Sequence, residues 1–320
     1  MPELPEVETV RRGLHELIIS RVVSAVEHDT PKSFPNAVAD VKQFLIGATV
    51  KDIRRRAKVL LIDLDTDYTL VIHLKMTGQL VFVGNTRVST SETAIFRGRG
   101  DVGELTSPTS GGVNPSVRFG AGHPSDSLIG KLPDRSTRVT FAFADGSHLY
   151  FNDQRKFGWV RLLPTVEVPN IDFMQKVGPE PLDAEFTAKQ FAERFARRAK
   201  SPIKAALLDQ TVIAGVGNIY ADESLWGAKI HPMTLVGKLT KQQFETLYKE
   251  LRYVLELAIE KGGSTDRNYV NAEGKKGSYI DFARVFRREG LACPRCGTTI
   301  IKFRAAGRGT HICPHDQVLK

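Results

Sequence analysis

Met1-Pro2-Glu3-Leu4-Pro5-Glu6-Val7-Glu8-Thr9-Val10 opens this chain of 320 residues, and its reading sets what the fold has to supply. Val7, Val10, Leu14 and Leu17 recur at helical spacing, so an amphipathic helix runs to about Ser20 and Pro2 sits just ahead of it. Removal of Met1 would leave Pro2 as a secondary amine. A free amino terminus titrates near pH ~8, so part of it is unprotonated and nucleophilic at neutral pH. Amine attack on an aldehyde-level carbon is a standard route to covalent catalysis, and a secondary amine reaches the iminium ion without losing a further proton. Glu3 and Glu6 are close enough in sequence to carry protons for it. The plain alternative is that Pro2 only permits methionine removal and starts a helix whose positive end Glu3, Glu6 and Glu8 answer. Taken alone, these ten residues are satisfied by that alternative.

Beyond the helix the pattern changes to short strands at 21–28, 49–55, 59–65, 69–75, 79–83, 138–144, 148–152 and 158–163, with β-branched alternation and Gly or Asp between them. Their spacing suits an antiparallel sandwich or barrel. The stretch 84–135, rich in Ser, Thr, Gly and Pro, reads as a flexible insert within this first domain, 1–168. From Pro164 the period is helical, at 172–176, 187–199, 203–209, 217–226 and 241–262, with Pro169 to Pro181 as the hinge. A second, helical domain is therefore expected over 169–283, with a polar glycine-punctuated loop at 263–280. Residues 284–320 form a terminal hairpin. The fold class expected is α+β.

At 41% hydrophobic and 25% charged residues, the composition is that of an ordinary soluble globular protein. No apolar run approaches the ~20 residues that span a bilayer, and the amino terminus lacks a signal-peptide pattern, so a cytoplasmic protein is expected. A formal charge of +9 points to a polyanionic partner. Residues 284–320 carry eight Lys or Arg against two acids, Glu289 and Asp316. Arg54-Arg55-Arg56, and Arg197-Arg198 with Lys200 and Lys204, form further basic groups beside glycine-rich turns, a setting for phosphate contact.

All three cysteines lie near the end of the chain. Cys293-x-x-Cys296, sixteen residues, then Cys313-x-x-Asp316 has the spacing of a zinc ribbon whose last ligand is altered. Zinc accepts carboxylate or imidazole, so either Asp316 or the adjacent His315 could close the tetrahedron; a metal-free hairpin is the alternative. Gly215-Val216-Gly217-Asn218 opens a helix whose amides suit a phosphate, with Asn218 as a ligand or merely an N-cap. His73 to Gly78 and Asn152 to Gly158 are turns carrying Met76, Arg155 and Phe157. Apolar wedges paired with Arg are how proteins unstack a duplex before extruding a base.

Together these residues resemble the formamidopyrimidine-DNA glycosylases, bacterial enzymes that remove oxidised purines such as 8-oxoguanine. The resemblance rests on Pro2 to Val10, Arg56-Ala57-Lys58, His73 to Gly78, Asp153 to Gly158, Val216 to Glu223 and Gly307-Arg308-Gly309-Thr310, in order and over nearly the whole chain except the insert. It implies a β-sandwich domain, a helix-two-turn-helix domain and a zinc-finger hairpin. It implies a bifunctional glycosylase and abasic-site lyase, working in DNA repair by β,δ-elimination through a Pro2 Schiff base. Pro2 is then the nucleophile and Glu3 the principal proton donor and acceptor, supported by Glu6. Lys58 matches the lysine of β-elimination, and Arg308 the arginine of δ-elimination and phosphate binding. Met76, Arg155 and Phe157 resemble the residues that fill the gap left by the flipped base. Asn218 and Lys204 resemble phosphate ligands, and the 263–280 loop the one that closes over the lesion. The implied partner is damaged double-stranded DNA at the nucleoid, met by a monomer with one structural zinc and no nucleotide cofactor. Two positions depart from the family: Ser136 stands where a DNA-contacting histidine is common, and Asp316 replaces the fourth cysteine.

Two other classes compete. A damage-binding protein that has lost turnover would keep the scaffold, but intact Pro2, Glu3, Lys58 and Arg308 speak against it. An RNA-binding zinc-ribbon protein would explain the charge and the cysteines but not the amino terminus.

Overall fold

The computed structural model describes residues 2–85, 116–123, 126–128, 130–264 and 279–319. Helix α1 (Leu4–Ile18) forms where the apolar spacing predicts it, with Pro5 in the first turn, where its missing N–H costs nothing. Val7, Val10, Leu14 and Ile18 are fully buried. Leu17, expected on that stripe, is only partly buried, because Ile18 continues the i, i+4 row from Leu14. Burial of each such side chain stabilises by roughly 2 kcal/mol, so the helix that carries Pro2 is firmly seated.

The strands are β1 (Val23–His28), β2 (Val50–Arg56), β3 (Val59–Leu64), β4 (Tyr68–His73), β5 (Gly78–Asn85), β6 (Ser116–Gly122), β7 (Thr137–Phe143), β8 (His148–Asp153) and β9 (Trp159–Pro164). They form two antiparallel sheets, β1-β7-β8-β5-β6 and β2-β3-β4-β9. Phe34, Phe82, Phe141 and Phe151 fill the core that these sheets share with α1, which packs on β2 and β6. Strand register fixes the turns that carry candidate site residues. The β2–β3 pair places Arg56 opposite Val59, so Ala57-Lys58 is a tight turn. The β5–β8 pair places Gly78 opposite Asp153, bringing together the turns that carry Met76 and Phe157.

The second half contains α3 (Asp172–Lys176), α4 (Ala188–Phe195), α5 (Ile203–Leu208), α6 (Asn218–Gly227), α7 (Lys241–Glu260) and α8 (Tyr279–Phe282). Phe191, Phe195, Tyr220, Leu247, Leu251 and Val254 make its core. α6 is buried from Tyr220 to Trp226 because α5, α7 and the terminal hairpin all pack on it. That hairpin, β10 (Ile301–Ala305) and β11 (Arg308–Ile312), shares a small core of Trp226, Val285, Ile300, Cys293 and Cys313. The α+β class, the sandwich and the hairpin agree with the sequence reading.

Two expectations need correction. The stretch 84–135 is not one flexible insert: Gly84 and Asn85 end β5, and β6 pairs with β5 from Gln79–Gly122 to Asn85–Ser116. Glycines at 120 and 122 dilute the alternation that would have marked β6 in sequence. Residues 86–115 lie outside the described residues. Helix α2 (Val38–Phe44), between β1 and β2, was not expected; none of its residues is fully buried, and it meets the core through half-buried Val41 and Phe44. Of the loop expected at 263–280, residues 265–278 lie outside the described residues.

Candidate active site and nucleic-acid interface

Pro2 is buried just ahead of α1, and the residues that follow it, Glu3 and Leu4, meet the segment that opens α6. The amide of Leu4 donates to Gly215 O at 3.0 Å. A Cβ on Gly217 would lie 2.1 Å from Glu3 Cδ, and one on Gly215, whose φ is +79°, 2.6 Å from Leu4 Cβ. These glycines therefore make room for the amino terminus. The Ile219 amide, in the first turn of α6, donates to Glu3 Oε1 at 3.3 Å, which sets that carboxylate at the positive end of the helix. The anion at that amide is therefore Glu3. Gly217 is the N-cap, so Asn218 is not; its Nδ2 donates instead to Gly309 O at 3.1 Å, across to the hairpin.

Glu3 is 4% exposed and its Oε2 has no protein partner among the described residues. Burial raises its carboxyl to about 7, with Lys58 opposing the rise and Glu6 adding to it. A carboxyl at that value holds both protonation states at neutral pH, as a group that both gives and takes protons requires. Glu6 is fixed by four donors. Its Oε2 accepts from Glu3 N at 2.8 Å, and its Oε1 from Tyr220 Oη at 2.6 Å and from the amide and hydroxyl of Ser264, both at 2.8 Å. Burial, with Glu6 and Glu3 nearby, holds the Tyr220 phenol far above its usual range, so it remains a donor.

Lys58 reaches into the same cluster from the β2–β3 turn and donates to Val216 O at 2.9 Å. Burial lowers its ammonium below the ordinary lysine range; Glu3 and Glu6 pull it back up, and Arg308 adds to the lowering. Arg308 is exposed at the first position of β11, facing Ala305 across the hairpin. Lys204 stands differently from its expected role. It is fully buried, with Nζ donating to Asp222 Oδ1 and Thr310 Oγ1, each at 2.6 Å, and it ties α5 and α6 to the hairpin. A direct phosphate contact by Lys204 is not what this geometry offers.

The paired turns between β4 and β5 and after β8 are joined by one carboxylate. Asp153 accepts from the Thr77 hydroxyl, from Arg155 N at 3.2 Å and from Gly158 N at 2.7 Å. His73, pushed down to about 3 by burial and the lysines at 75 and 58, is neutral; its Nδ1 accepts from Lys75 N at 3.0 Å. This hydrogen-bonded base holds out an exposed pair: Phe157 is 51% exposed, and the Arg155 guanidinium lies 4.9 Å from its ring centroid. Met76 is half-buried beside them. The stacked arginine and phenylalanine are thus presented to solvent on a fixed turn.

One ligand atom each from Cys293, Cys296, Cys313 and Asp316 lies within 4.8 Å of the others, with Cys296 Sγ and Cys313 Sγ 3.4 Å apart. Tetrahedral ligands on bonds of about 2.3 Å stand roughly 3.8 Å from one another, so this S3O set fits one zinc ion. Arg295 holds Asp316 in place, donating to Oδ2 at 3.0 Å while its guanidinium lies 3.8 Å from the Trp226 ring centroid. His315, the alternative ligand, is 67% exposed in its side chain and outside the set. His311 faces the other way, onto Asp222 and Glu289.

Family models match three stretches in order: the formamidopyrimidine-DNA glycosylase N-terminal domain over residues 1–160, its H2TH domain over 177–269, and the zinc finger found in FPG and IleRS over 290–318. The chain belongs to the formamidopyrimidine-DNA glycosylase family. The curated formamidopyrimidine-DNA glycosylase of Ligilactobacillus salivarius is 37% identical to it, over 100% of both chains. Among solved structures, the Lactococcus lactis Fpg complexed with DNA containing an abasic site has a TM-score of 0.77 at 33% identity, covering 99% of each chain. MutM in complex with DNA containing carbocyclic 8-oxo-G has a TM-score of 0.76 at 32% identity, covering 99% of this chain and 100% of that one. No helix among the described residues is long and apolar enough to cross a membrane.

Among the expected interface residues, Lys200 is exposed on the turn ahead of α5 and takes no part in the buried cluster. Ser136 is 4% exposed, its hydroxyl 2.7 Å from Asp134 Oδ1 and 2.9 Å from Ser127 Oγ. It is committed to that turn, which corrects its expected place at a DNA contact. Tyr220, Ser264 and Asp153 were missed as parts of the site, as was Glu180, which holds the turn that carries Lys58. Tyr220 sits inside a recognised motif, and Glu180 lies between two prolines in Gly178-Pro179-Glu180-Pro181, a local signal that was there to be read.

Proposed function

We propose that this protein is a base-excision repair enzyme that removes oxidised purines from duplex DNA and cuts the resulting abasic strand. The observation that carries the reading is the buried carboxyl of Glu3, titrating near 7 beside Pro2 with one oxygen free. Family membership across the whole chain supports the substrate class, as do relatives solved on DNA with an abasic site and with 8-oxo-G. Pro2 nitrogen attacks the sugar C1′ of the extruded nucleotide, the C1′–base bond breaks, and the departing base takes its electron pair and a proton. Opening of the sugar ring leaves an iminium on Pro2, an electron sink for loss of the C2′ proton and then of the 3′ phosphate. Glu3 gives and takes the protons at the ring oxygen. Lys58, lowered by burial, serves the elimination steps, while Arg308 holds phosphate. Met76, Arg155 and Phe157 occupy the gap in the stack, an arrangement that offsets the cost of unstacking. Asn218 and Lys200 line the phosphate path. Cys293, Cys296, Cys313 and Asp316 would hold one zinc, which supplies rigidity to the hairpin that aims Arg308 and takes no part in the chemistry.

In this reading residues 1–168 form the catalytic domain, 169–283 a helical DNA-binding domain and 284–320 the zinc hairpin. The protein acts as a monomer in the cytoplasm, at the nucleoid. The test is borohydride trapping on a duplex with 8-oxoguanine opposite cytosine. A covalent adduct is expected from the native protein and none from protein with an acetylated amino terminus. Absence of an adduct with both 8-oxoguanine and an abasic site would reduce the protein to a damage binder. Zinc should measure one per chain in protein purified without chelator, and a value well below that would contradict the altered ribbon.

A further inference from the structure

We propose that Glu180, which lies in the second half of the chain outside the catalytic cluster, is the positioning residue for Lys58. This rests on the role proposed above for Lys58. The Ala57-Lys58 turn is strained at Ala57, whose φ of +53° places a non-glycine residue in the left-handed region. Nothing in the local sequence compensates for that. Glu180 does, since its Oε1 accepts from Ala57 N at 2.6 Å and from Arg56 Nη1 at 2.9 Å, while its Oε2 accepts from Arg55 Nη1 at 2.7 Å. Arg55 continues the chain of contacts into α1, with Nε donating to Glu8 Oε2 at 3.1 Å. One carboxylate therefore gathers the three residues immediately before Lys58 and connects them to α1, the helix that Pro2 precedes.

The same segment also holds the far end of Lys58. Gly178 N donates to Gln210 O at 2.8 Å, and Ala214 N donates to Pro179 O at 2.9 Å. Gln210 Nε2 donates to Val216 O at 2.8 Å, the carbonyl that also accepts from Lys58 Nζ. Pro179 and Pro181 limit the backbone on either side of Glu180, so its carboxylate is directed before the contacts form. Lys58 is thus gripped at its backbone through Ala57 and at its ammonium through Val216, both ends referred to one short stretch of chain. The duplex-facing residues Arg155, Phe157 and Arg308 lie on other elements. Loss of the Glu180 carboxylate should therefore misplace the ammonium and leave the binding face intact.

The experiment uses the full-length protein. Strand cleavage of a pre-formed abasic-site duplex is followed in single turnover, and affinity is measured on a duplex with an uncleavable tetrahydrofuran abasic analogue. Glu180→Gln should slow cleavage by about ten- to hundredfold, the cost of an ångström-scale misplacement, with affinity held within about twofold. Glu180→Asp should recover part of the rate. Lys58→Met should slow cleavage at least as much, and the Lys58→Met/Glu180→Gln double variant should be no slower than Lys58→Met alone, because both changes remove one function. Should Glu180→Gln melt far below the parent, Arg55→Lys, which keeps the charge and loses the fork, is read in the same cycle. Losses that multiply in the double variant, or a fall in affinity matching the fall in rate, would overturn the proposal for Glu180. A parent protein inactive on both 8-oxoguanine and abasic duplexes would overturn the proposed function itself, a distinguishable outcome.

Discussion

Lys58 and Lys204 are both buried lysines whose ammonium groups burial pushes below the usual range, yet they are held in opposite ways. Lys204 has a carboxylate and a hydroxyl at 2.6 Å and joins three elements. Lys58 has a neutral carbonyl at 2.9 Å, and its carboxylates, Glu3 and Glu6, act on it through space. A buried cation with a close counterion is a structural bolt, and removing its partner is costly. A buried cation whose countercharges stand off is free to exchange a proton. The resemblance to the family assigned both residues to DNA chemistry, and the packing separates them.

The strongest way to break this contrast is to remove each ammonium in turn and measure cleavage and stability together. Lys58→Met should lower strand cleavage by about a thousandfold, in the range of lost acid–base catalysis, with no loss of stability. Lys204→Met should cost about 3 kcal/mol in chemical denaturation, because Asp222 is left buried and unpaired. Equal losses of stability in the two variants would abolish the distinction.

Glu3 sharpens the contrast through pH. Its folded carboxyl titrates near 7 and its unfolded one near 4.5, so the folded state holds the proton more tightly. Its contribution to stability is complete below about pH 4.5 and is lost as the pH rises through 7. Glu3→Gln should therefore gain on the parent by up to roughly 3 kcal/mol between pH 5 and pH 8, while losing activity at both. A pH-independent difference would contradict the buried, raised carboxyl. The smallest effect expected is at the exposed wedge. Phe157→Ala should change stability by less than about 0.5 kcal/mol. It should weaken binding to the tetrahydrofuran duplex by about tenfold, since a base-stacking aromatic contributes roughly 1–3 kcal/mol.

What could be read from the sequence depends on how far each interaction reaches. The α1 stripe, the turns at Gly78 and Gly158, and the pairs Cys293–Cys296 and Cys313–Asp316 are local patterns, and they stand where they were expected, save that Ile18 takes the place of Leu17 on the stripe. The counterion of Lys204 is 18 positions away and its hydroxyl partner 106, so no periodicity could distinguish it from Lys58. Gly215 and Gly217 carried a true signal of close approach, and the approaching groups are Leu4 and Glu3. Ser136 could be placed only by its match to the family histidine, and the turn at Asp134 buries it. Strand β6 was hidden by its own glycines and by the length of chain between it and β5.

Pro2 and Lys58 are the two amines proposed to act on the sugar, and only one can hold it. Borohydride-trapped complex should be digested with nuclease and trypsin and the modified peptide sequenced by mass spectrometry. The residual sugar is expected on the amino-terminal nitrogen of the peptide Pro2–Arg11. A sugar on the Lys58 ε-amine, or an unmodified Pro2 in a trapped complex, would contradict the account.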